Sequence, residues 1–385
     1  MNKIHLVKDT INKNDINLLI EWLKTDPILT KNKLTVEFEN NFSKYQNRKY
    51  SVFLNSGSSA NLAMIYSLLM SGKLKSKNII VPAVSWTTTV SPIIQFGLTP
   101  ILCECDNETL GLDIDNLKIL IKQYTPSVLI LVHVLGFPNK MKEIQELCSQ
   151  NNIILLEDSC ESVGSTYNDI KTGSFGFMSS FSFYYGHHLS TIEGGMVCTD
   201  NFEIYNILKS IRAHGWDRDL DEPFKSKIKS DFNIDSFKDL YTFYFPGFNL
   251  RSTDLQAFIG INQLNKVDDI VKKRNLNYLL YENLIKNDYW KISKFENCFI
   301  SNFAYPIIHP KRKQIVEELI KNNIECRPLI CGSIGQQPYW INMFGKQSFP
   351  FADIVDDFGL YVPNNPDLKE EEIKFICDII NKQIN

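Results

Sequence analysis

Short apolar runs alternate with amphipathic stretches over the middle of the chain. The runs, in order from residue 50, are YSVFLN, NIIVPAVSW, PILCECD, SVLILVHVLG, IILLEDSC, FMSSFSFYY and GGMVCTD. Runs of this length, bounded by glycine, proline or polar residues, are typical of strands that are buried on both faces. Between two of them, NKMKEIQELCSQNN places Met141, Ile144 and Leu147 on one helical face. The pattern therefore predicts an α/β fold with a mostly parallel central sheet flanked by helices.

The pattern changes near residue 250. A long helical stretch, FNLRSTDLQAFIGINQLNKVDDIVKKRNLNYLLYENLIKN, leads to a predicted strand (ISNFAYPII), a helix (RKQIVEELIKNN), a short strand (IECRPLI) and a terminal helix (KEEEIKFICDIINKQ). This succession is of the α+β type. We predict a large α/β domain over residues 1–250 and a smaller α+β domain over residues 251–385. Residues 221–240 are polar and weakly patterned, which predicts an exposed excursion from the core.

Composition and charge argue against several classes of partner. The 385 residues carry a formal net charge of −3 with no basic block, so no nucleic-acid footprint is visible. No run approaches the roughly 18 apolar residues of a membrane span, and the N-terminus lacks a signal-peptide pattern. Nine scattered cysteines indicate reduced thiols, and their spacing predicts no metal site. We expect a cytoplasmic protein with no nucleic-acid or membrane partner.

One strand-to-helix junction has the chemistry of an anion site. FLNSGSSANLAMIYSLL passes from a strand through Gly57, Ser58 and Ser59 into a helix. The free amides and the dipole at a helix N-terminus suit an anion such as phosphate. The alternative is that one of the two serines simply caps the helix.

Two further motifs follow predicted strands. ILLEDSCES ends a buried strand with Glu157 and Asp158, and a carboxylate there either meets a ligand or caps the next helix. Trp86, in PAVSWTTTVSP, is either a core aromatic residue or a platform on which a flat cofactor stacks.

The stretch GHHLSTIEGG contains two adjacent histidines. Neighbouring residues on a helix or strand cannot face the same direction, so only one of His187 and His188 is expected to point into a site. Taken alone, the pair could equally lie in a surface loop.

Several motifs together resemble one enzyme family. In order, NSGSSANLA, PAVSWTTT, VHVLG, LLEDSCES, SFSFYYGHHLSTIEGGMVCTD, IRAHGWDR and FNLRSTDLQAFIGINQL resemble the nucleotide-sugar aminotransferase family of fold type I pyridoxal-phosphate enzymes. The resemblance covers roughly residues 20 to 270 and continues more weakly to the end. It implies a fold type I aminotransferase-like architecture, and pyridoxal 5'-phosphate with its amine form, pyridoxamine 5'-phosphate, as the cofactor.

The chain departs from this family at one position. Six residues before Glu193, where the family has the lysine that binds the cofactor covalently, stands His187. A histidine there is the mark of a branch of sugar 3-dehydratases, and YYGHHLSTIEGG, RAHGWDR, PGFNLR and IECRPL are most similar to members that act on GDP-linked 4-keto-6-deoxy sugars. A related branch with an iron–sulfur cluster has clustered cysteines after its HG motif. In this chain the HG motif is followed by WDRDLDEPFKSK, which contains no cysteine. We therefore expect neither an iron–sulfur cluster nor an iron–sulfur reductase.

The resemblance also implies a set of site residues. Trp86 stacks on the cofactor ring, Asp158 pairs with the ring nitrogen and Glu161 meets the ring hydroxyl. Asn249 reaches the phosphate of a neighbouring subunit, which implies a homodimer with shared active sites, unless it is an ordinary turn residue. The residues implied to hold the phosphate from within the same chain are Gly57, Ser58, Ser59 and Ser182.

Four basic residues are candidates for the sugar nucleotide. His214, Arg218 and Arg327 suit the nucleotide or the sugar, because guanidinium groups match diphosphate oxygens well. Arg251 serves either the substrate or the subunit interface. Each arginine could equally form an ordinary ion pair. His188 is expected to be a loop residue or a residue behind the site.

The missing lysine shapes the expected reaction. The cofactor would be held without a covalent bond, and L-glutamate would restore its amine form. His187, with an ordinary pKa of about 6.5, suits taking and returning a proton during loss of the 3-hydroxyl. The alternatives are a 4-keto sugar-nucleotide aminotransferase, a 3-dehydratase for another nucleotide-linked 4-keto-6-deoxy sugar, and a non-catalytic partner subunit that kept the fold.

Overall fold

The strands observed in a computed structural model match the apolar runs of the sequence. The structure describes residues 3–292 and 297–384. The strands are β1 (Tyr50–Leu54), β2 (Asn78–Pro82), β3 (Thr99–Cys103), β4 (Val128–Val132), β5 (Ile154–Asp158), β6 (Thr166–Tyr167), β7 (Ile170–Lys171), β8 (Met178–Ser182), β9 (Gly195–Thr199), β10 (Cys298–Phe299), β11 (Tyr305–Ile308), β12 (Arg327–Pro328) and β13 (Gly359–Val362).

Helices cover both faces of the central sheet and surround the C-terminal one. The α-helices are α1 (Lys13–Leu23), α2 (Lys33–Gln46), α3 (Gly57–Met70), α4 (Thr87–Gln95), α5 (Ile114–Tyr124), α6 (Met141–Gln150), α7 (Phe202–Arg212), α8 (Phe224–Asp231), α9 (Asp254–Leu264), α10 (Val267–Leu284), α11 (Arg312–Lys321), α12 (Pro338–Phe344), α13 (Ala352–Phe358) and α14 (Glu370–Ile384). Single turns of 3-10 helix are Val134–Gly136, Lys238–Tyr241 and Ile334–Gln336.

The seven predicted runs form one seven-stranded sheet. Its order is β1-β9-β8-β5-β4-β2-β3. The pairs among β8, β5, β4, β2 and β3 are parallel, whereas β9 runs antiparallel to both of its neighbours. The predicted fold class is therefore confirmed. Strands β1, β2, β4, β5 and β8 end at the same edge of the sheet, which brings the segments that follow them together.

Alternating residues of these strands face two different layers. On one face the strand side chains pack with those of α3, α4 and α7. On the other, one group packs with α5 and α6, and a second, rich in phenylalanine, packs with α2, α9 and α10. Met141 and Ile144 are buried in this second layer as the helical spacing predicted, and Leu147 is partly buried.

The C-terminal part forms a three-stranded antiparallel sheet of order β11-β13-β12. Its central strand, β13, was absent from the prediction. The long helical stretch is two helices: α9 packs on α2, and α10 packs on α14. The division at residue 250 stays a prediction. The excursion over residues 221–240 is mostly exposed and contains α8.

Among residues 3–292 and 297–384, no helix is both long and apolar enough to cross a membrane. All nine cysteines are free thiols.

Glu157 stabilises the centre of the sheet from the face opposite the site. Its fully buried carboxylate accepts hydrogen bonds from the amides of Gly173, Phe175 and Gly176 at 2.5–2.7 Å, and lies 3.0 Å from His133 Nε2. These bonds fix the loop that leads into β8. Glu157 is therefore a structural residue, which leaves Asp158 as the carboxylate available to a ligand.

We expect Glu157→Gln to lower the free energy of unfolding by about 3 kcal/mol, because its amide group would face buried N–H donors. Thermal unfolding measures this, with the exposed Glu143→Gln as the control. Cofactor affinity should not change, since Glu157 lies outside the cavity described below. Stability equal to that of the unsubstituted protein would contradict the account.

Candidate active site

A cavity of about 730 Å³ lies at the edge where the strands end. Residues that follow β1, β2, β5 and β8 line it, together with Tyr361 and Arg327 from the C-terminal sheet. Its wall contains eight of the predicted site residues, which the topology brings together: Gly57, Ser58, Trp86, Asp158, Glu161, Ser182, His187 and Arg327.

The start of α3 forms an anion cradle. Ser56 caps the helix by accepting a hydrogen bond from the Ser59 amide at 3.0 Å, and the amides of Gly57 and Ser58 have no partner within the helix. A Cβ atom added to Gly57 would lie 2.6 Å from Ser182 Cβ. Only glycine therefore lets the helix start approach the end of β8 this closely.

Ser59 is the exception among the predicted phosphate residues. It does not line the cavity, and its hydroxyl accepts a hydrogen bond from Ser56 Oγ at 3.0 Å. Its amide takes part in the cap, although the capping residue itself is Ser56 rather than either predicted serine. Contact between Ser59 and a phosphate stays a prediction. Ser58 Oγ, in contrast, lies at the cavity and donates to Thr88 Oγ1 at 3.1 Å.

Asp158 is a buried carboxylate held in place by neutral donors. Asn61 Nδ2 and Thr89 Oγ1 each donate to Oδ2 at 2.7 Å, and the Cys160 amide donates to Oδ1 at 3.2 Å. Ser180 Oγ in turn donates to Asn61 Oδ1 at 2.6 Å. In the described part of the chain, no lysine or arginine forms an ion pair with Asp158, so the carboxylate is available to a cationic group of a ligand.

The sequence did not predict Asn61 and Thr89. Both lie on helices, α3 and α4, that begin at the cavity edge, so one helical turn brings each side chain back to Asp158. The only available signal was this spacing, four residues after Gly57 and three after Trp86.

Trp86 and Glu161 complete the wall around Asp158. Trp86 directly precedes α4, and the residue is 53% exposed, so it is not a core residue. Glu161 Oε2 accepts a hydrogen bond from the Leu135 amide at 2.8 Å. Burial, reinforced by the charge of Asp158, raises the pKa of Glu161 to about 8. Glu161 therefore holds a proton at neutral pH and can donate a hydrogen bond into the cavity.

His187 presents an unprotonated nitrogen to the cavity. Its Nδ1 lies 2.7 Å from the carbonyl oxygen of Cys160. A carbonyl can only accept, so Nδ1 carries the proton and Nε2 is a bare acceptor. Burial lowers the pKa of His187 to about 4, with the charge of Arg274 acting in the same direction. The imidazole is thus a neutral base above that pH.

His188 faces away from the cavity. It is fully buried, and its Nε2 lies 2.9 Å from the carbonyl oxygen of Ser301. The two adjacent histidines therefore point in different directions, and only His187 lines the cavity. His188 ties the turn to the C-terminal part of the chain.

Besides Ser59, four predicted residues lie outside the cavity of this chain. Asn249 is exposed, and its side-chain oxygen accepts a hydrogen bond from Arg251 Nε at 3.2 Å. The Arg218 guanidinium lies 4.0 Å from the ring centre of Trp216, against which His214 also packs. A contact of these residues with cofactor or substrate stays a prediction.

The family model described as DegT/DnrJ/EryC1/StrS aminotransferase matches residues 9–381. The chain belongs to this family. It is 36% identical to the GDP-4-keto-6-deoxy-D-mannose 3-dehydratase of Escherichia coli O55:H7, with 94% of this chain and 95% of the relative covered. It is 34% identical to the protein of the same name from Yersinia pseudotuberculosis, with 98% of each covered. These matches confirm the resemblance.

A solved structure supports the same grouping. The crystal structure of GDP-4-keto-6-deoxymannose-3-dehydratase with a trapped PLP-glutamate geminal diamine superposes with a TM-score of 0.89. The two chains are 34% identical, and the match covers 98% of this chain and 100% of the other.

Among residues 3–292 and 297–384, no group of three or more His, Cys, Asp or Glu side chains is placed to hold a metal ion.

We expect Gly57→Ala to weaken binding of pyridoxal 5'-phosphate by at least about tenfold, because the new methyl group would displace Ser182 or the start of α3. Absorbance titration of the cofactor-free protein measures this. The control is Gly72→Ala, just beyond the other end of α3. Because Gly72 has a φ of +67°, we expect this variant to unfold more easily while it binds the cofactor with unchanged affinity. Equal affinity in Gly57→Ala and the unsubstituted protein would show that the close approach is unimportant.

Proposed function

We propose that this chain is a 3-dehydratase that uses pyridoxamine 5'-phosphate to remove the C3 hydroxyl of GDP-4-keto-6-deoxy-D-mannose. The product is GDP-4-keto-3,6-dideoxy-D-mannose, ammonia is released, and L-glutamate restores the amine on the cofactor. The observation that carries the proposal is the bare Nε2 of His187, which faces the cavity at the position where the family has its lysine.

The residues present fit this cofactor. The amides of Gly57 and Ser58 and the hydroxyl of Ser182 would hold its phosphate, in a cradle that a Cβ on Gly57 would fill. Trp86 offers a flat wall for the ring, and Asp158 a carboxylate without a cationic partner in the described chain for the ring nitrogen. No described lysine lines the cavity, so the cofactor would be held non-covalently.

When bound, the cofactor supplies an amine that condenses with a 4-keto group and a ring that accepts electrons. His187 then has two tasks. Its Nε2 takes a proton from carbon and returns it to the oxygen of the departing hydroxyl. The Cys160 carbonyl stabilises the imidazolium that forms between these events, because Nδ1–H donates to it.

The alternative of a sugar aminotransferase fits this cavity less well. Transamination relies on a lysine amine for cofactor exchange and for the proton shift. The cavity wall presents an imidazole at position 187 instead. The complete set of cradle, Trp86 and Asp158 also speaks against a non-catalytic partner subunit.

The substrate, the assembly and the compartment are parts of the same proposal. The GDP-linked sugar rests on the names of the relatives and on Arg327, a residue of the cavity wall whose guanidinium group suits phosphate oxygens. A homodimer with shared active sites would give a role to Asn249 and Arg251, which lie outside this chain's own cavity. The nine free thiols fit the cytoplasm.

The test is to incubate the purified protein with pyridoxal 5'-phosphate, L-glutamate and GDP-4-keto-6-deoxy-D-mannose, without a reductase. Ammonia and the mass of the product are followed together. We expect ammonia and a sugar nucleotide that is one oxygen atom lighter. A stable 4-amino sugar would show an aminotransferase, and turnover only with a CDP- or dTDP-linked sugar would contradict the proposed nucleotide.

We expect His187→Asn to lower dehydration by about 10²- to 10⁴-fold, because asparagine can neither accept nor return the proton. Cofactor binding should be retained, since the cradle and Asp158 are unchanged. The control is His309→Asn, directly after β11, which does not line the cavity and should keep full activity. Ammonia release measures both variants. Full activity in His187→Asn would rule out His187 as the proton carrier.

A further inference from the structure

Arg274 occupies a buried junction directly behind His187. It lies on α10 and is only 1% exposed. Its Nη1 donates to the carbonyl oxygens of Phe303 at 2.8 Å and Asn364 at 2.7 Å, and its Nη2 to that of His187 at 3.4 Å. One guanidinium thus joins the His187 turn to two segments of the C-terminal part of the chain.

The charge on Arg274 has no counter-ion in the described part of the chain. No Asp or Glu forms an ion pair with it there, and its buried Nε has no hydrogen-bond partner among the described atoms. Burial lowers the pKa of Arg274 to about 9. An uncompensated buried charge is costly, and a neutral amide donor could satisfy the same carbonyl oxygens without one. Packing alone therefore does not account for an arginine here.

Several ionisable groups surround His187. Asp158 is the last residue of β5, and Cys160 and Glu161 follow it. Tyr184 and His188 lie in the histidine turn and Arg274 on α10, and three groups lie across the cavity: Glu325, Arg327 and Tyr361. Burial is the main cause of the low pKa of both histidines. The charge of Arg274 lowers the pKa of each further, and Asp158 opposes it at His187.

Arg274 also acts on the position of the imidazole. The ring of Phe303 packs against that of His187 with 5.1 Å between centres, and Arg274 holds the carbonyl of this same phenylalanine. The guanidinium therefore fixes both the backbone of the histidine and the residue that supports its ring.

We propose that Arg274 is a positioning residue for His187: its carbonyl contacts hold the histidine toward the cavity, and its buried charge favours the neutral, proton-accepting form of the ring. This inference rests on the proposed role of His187 as proton carrier. The carbonyl contacts and the charge have separate consequences, which different substitutions can distinguish.

The experiment measures the pH dependence of kcat for dehydration in Arg274→Met and Arg274→Lys. The base form of His187 exists above its pKa, so activity is lost as pH falls through that value. Without the nearby positive charge the pKa of His187 rises. The acid limb, which is the part of the pH profile where kcat falls on the acid side, should therefore move up by about one pH unit in Arg274→Met. Arg274→Lys keeps the charge, so we expect a lower kcat with an unshifted limb.

The matched control is Asn364→Ala. Asn364 Nδ2 donates to the carbonyls of Arg274 and Asn302, so this variant disturbs the same buried junction without changing its charge. We expect lower thermal stability and an unshifted acid limb. If Arg274→Met does not fold, Arg274→Gln, which retains donor groups without the charge, takes its place with the same expected shift.

An acid limb that stays in place in a folded Arg274→Met or Arg274→Gln would overturn the inference. So would an equal shift in Asn364→Ala, because the effect would then follow from packing. If the unsubstituted protein releases no ammonia, the proposed function fails separately. NMR titration of the His187 ring in the same variants then replaces the rate measurement, with the same shift expected and its absence again decisive.

Discussion

The hydrogen bond from His187 Nδ1 to the Cys160 carbonyl determines what this site can do. It consumes the donor of the neutral ring and leaves Nε2 as an acceptor that faces the cavity. It forms only because β5 and β8 are neighbours in the sheet, so that the segments after them run side by side. The Ser159 amide, which donates to the Ser180 carbonyl at 2.9 Å, continues that pairing to the edge of the cavity. The sheet order thus sets the chemical state of the histidine.

Because side chains alternate along β5, its two adjacent carboxylates have different roles. Glu157 and Asp158 are adjacent and both buried, yet they face opposite sides of β5. The Glu157 carboxylate accepts hydrogen bonds from three backbone amides and lies against His133, so these partners use its whole hydrogen-bonding capacity. Asp158 meets only neutral donors and retains the capacity to bind a cation. Two neighbouring carboxylates with different partners therefore have different tasks.

The sequence predicted the sheet well because each central strand is a continuous apolar run bounded by polar or turn residues. It missed β13, a strand of only four residues that directly follows α13. It placed Asp158 correctly at the end of a strand, and the adjacency of the histidines implied that one would face away. Asn249 and Arg218 lie outside the cavity of this chain, and their contact with a ligand stays a prediction.

The residues that support the site could not be predicted from the sequence pattern. Asn61 and Thr89 are ordinary helix residues until the fold brings them to Asp158. Arg274 belongs to the basic triplet KKR on α10, which in sequence is indistinguishable from a solvated surface. Only tertiary structure shows that this member of the triplet is buried among carbonyl oxygens.

The protonation state of His187 is the central claim, and ¹⁵N NMR of histidine-labelled protein tests it most directly. The signal is assigned by its loss in a variant without that ring. At pH 7 we expect a neutral imidazole with the proton on Nδ1 and an unprotonated Nε2. A proton on Nε2, or a charged ring at that pH, would contradict the account, because neither form can accept a proton from a substrate in the cavity.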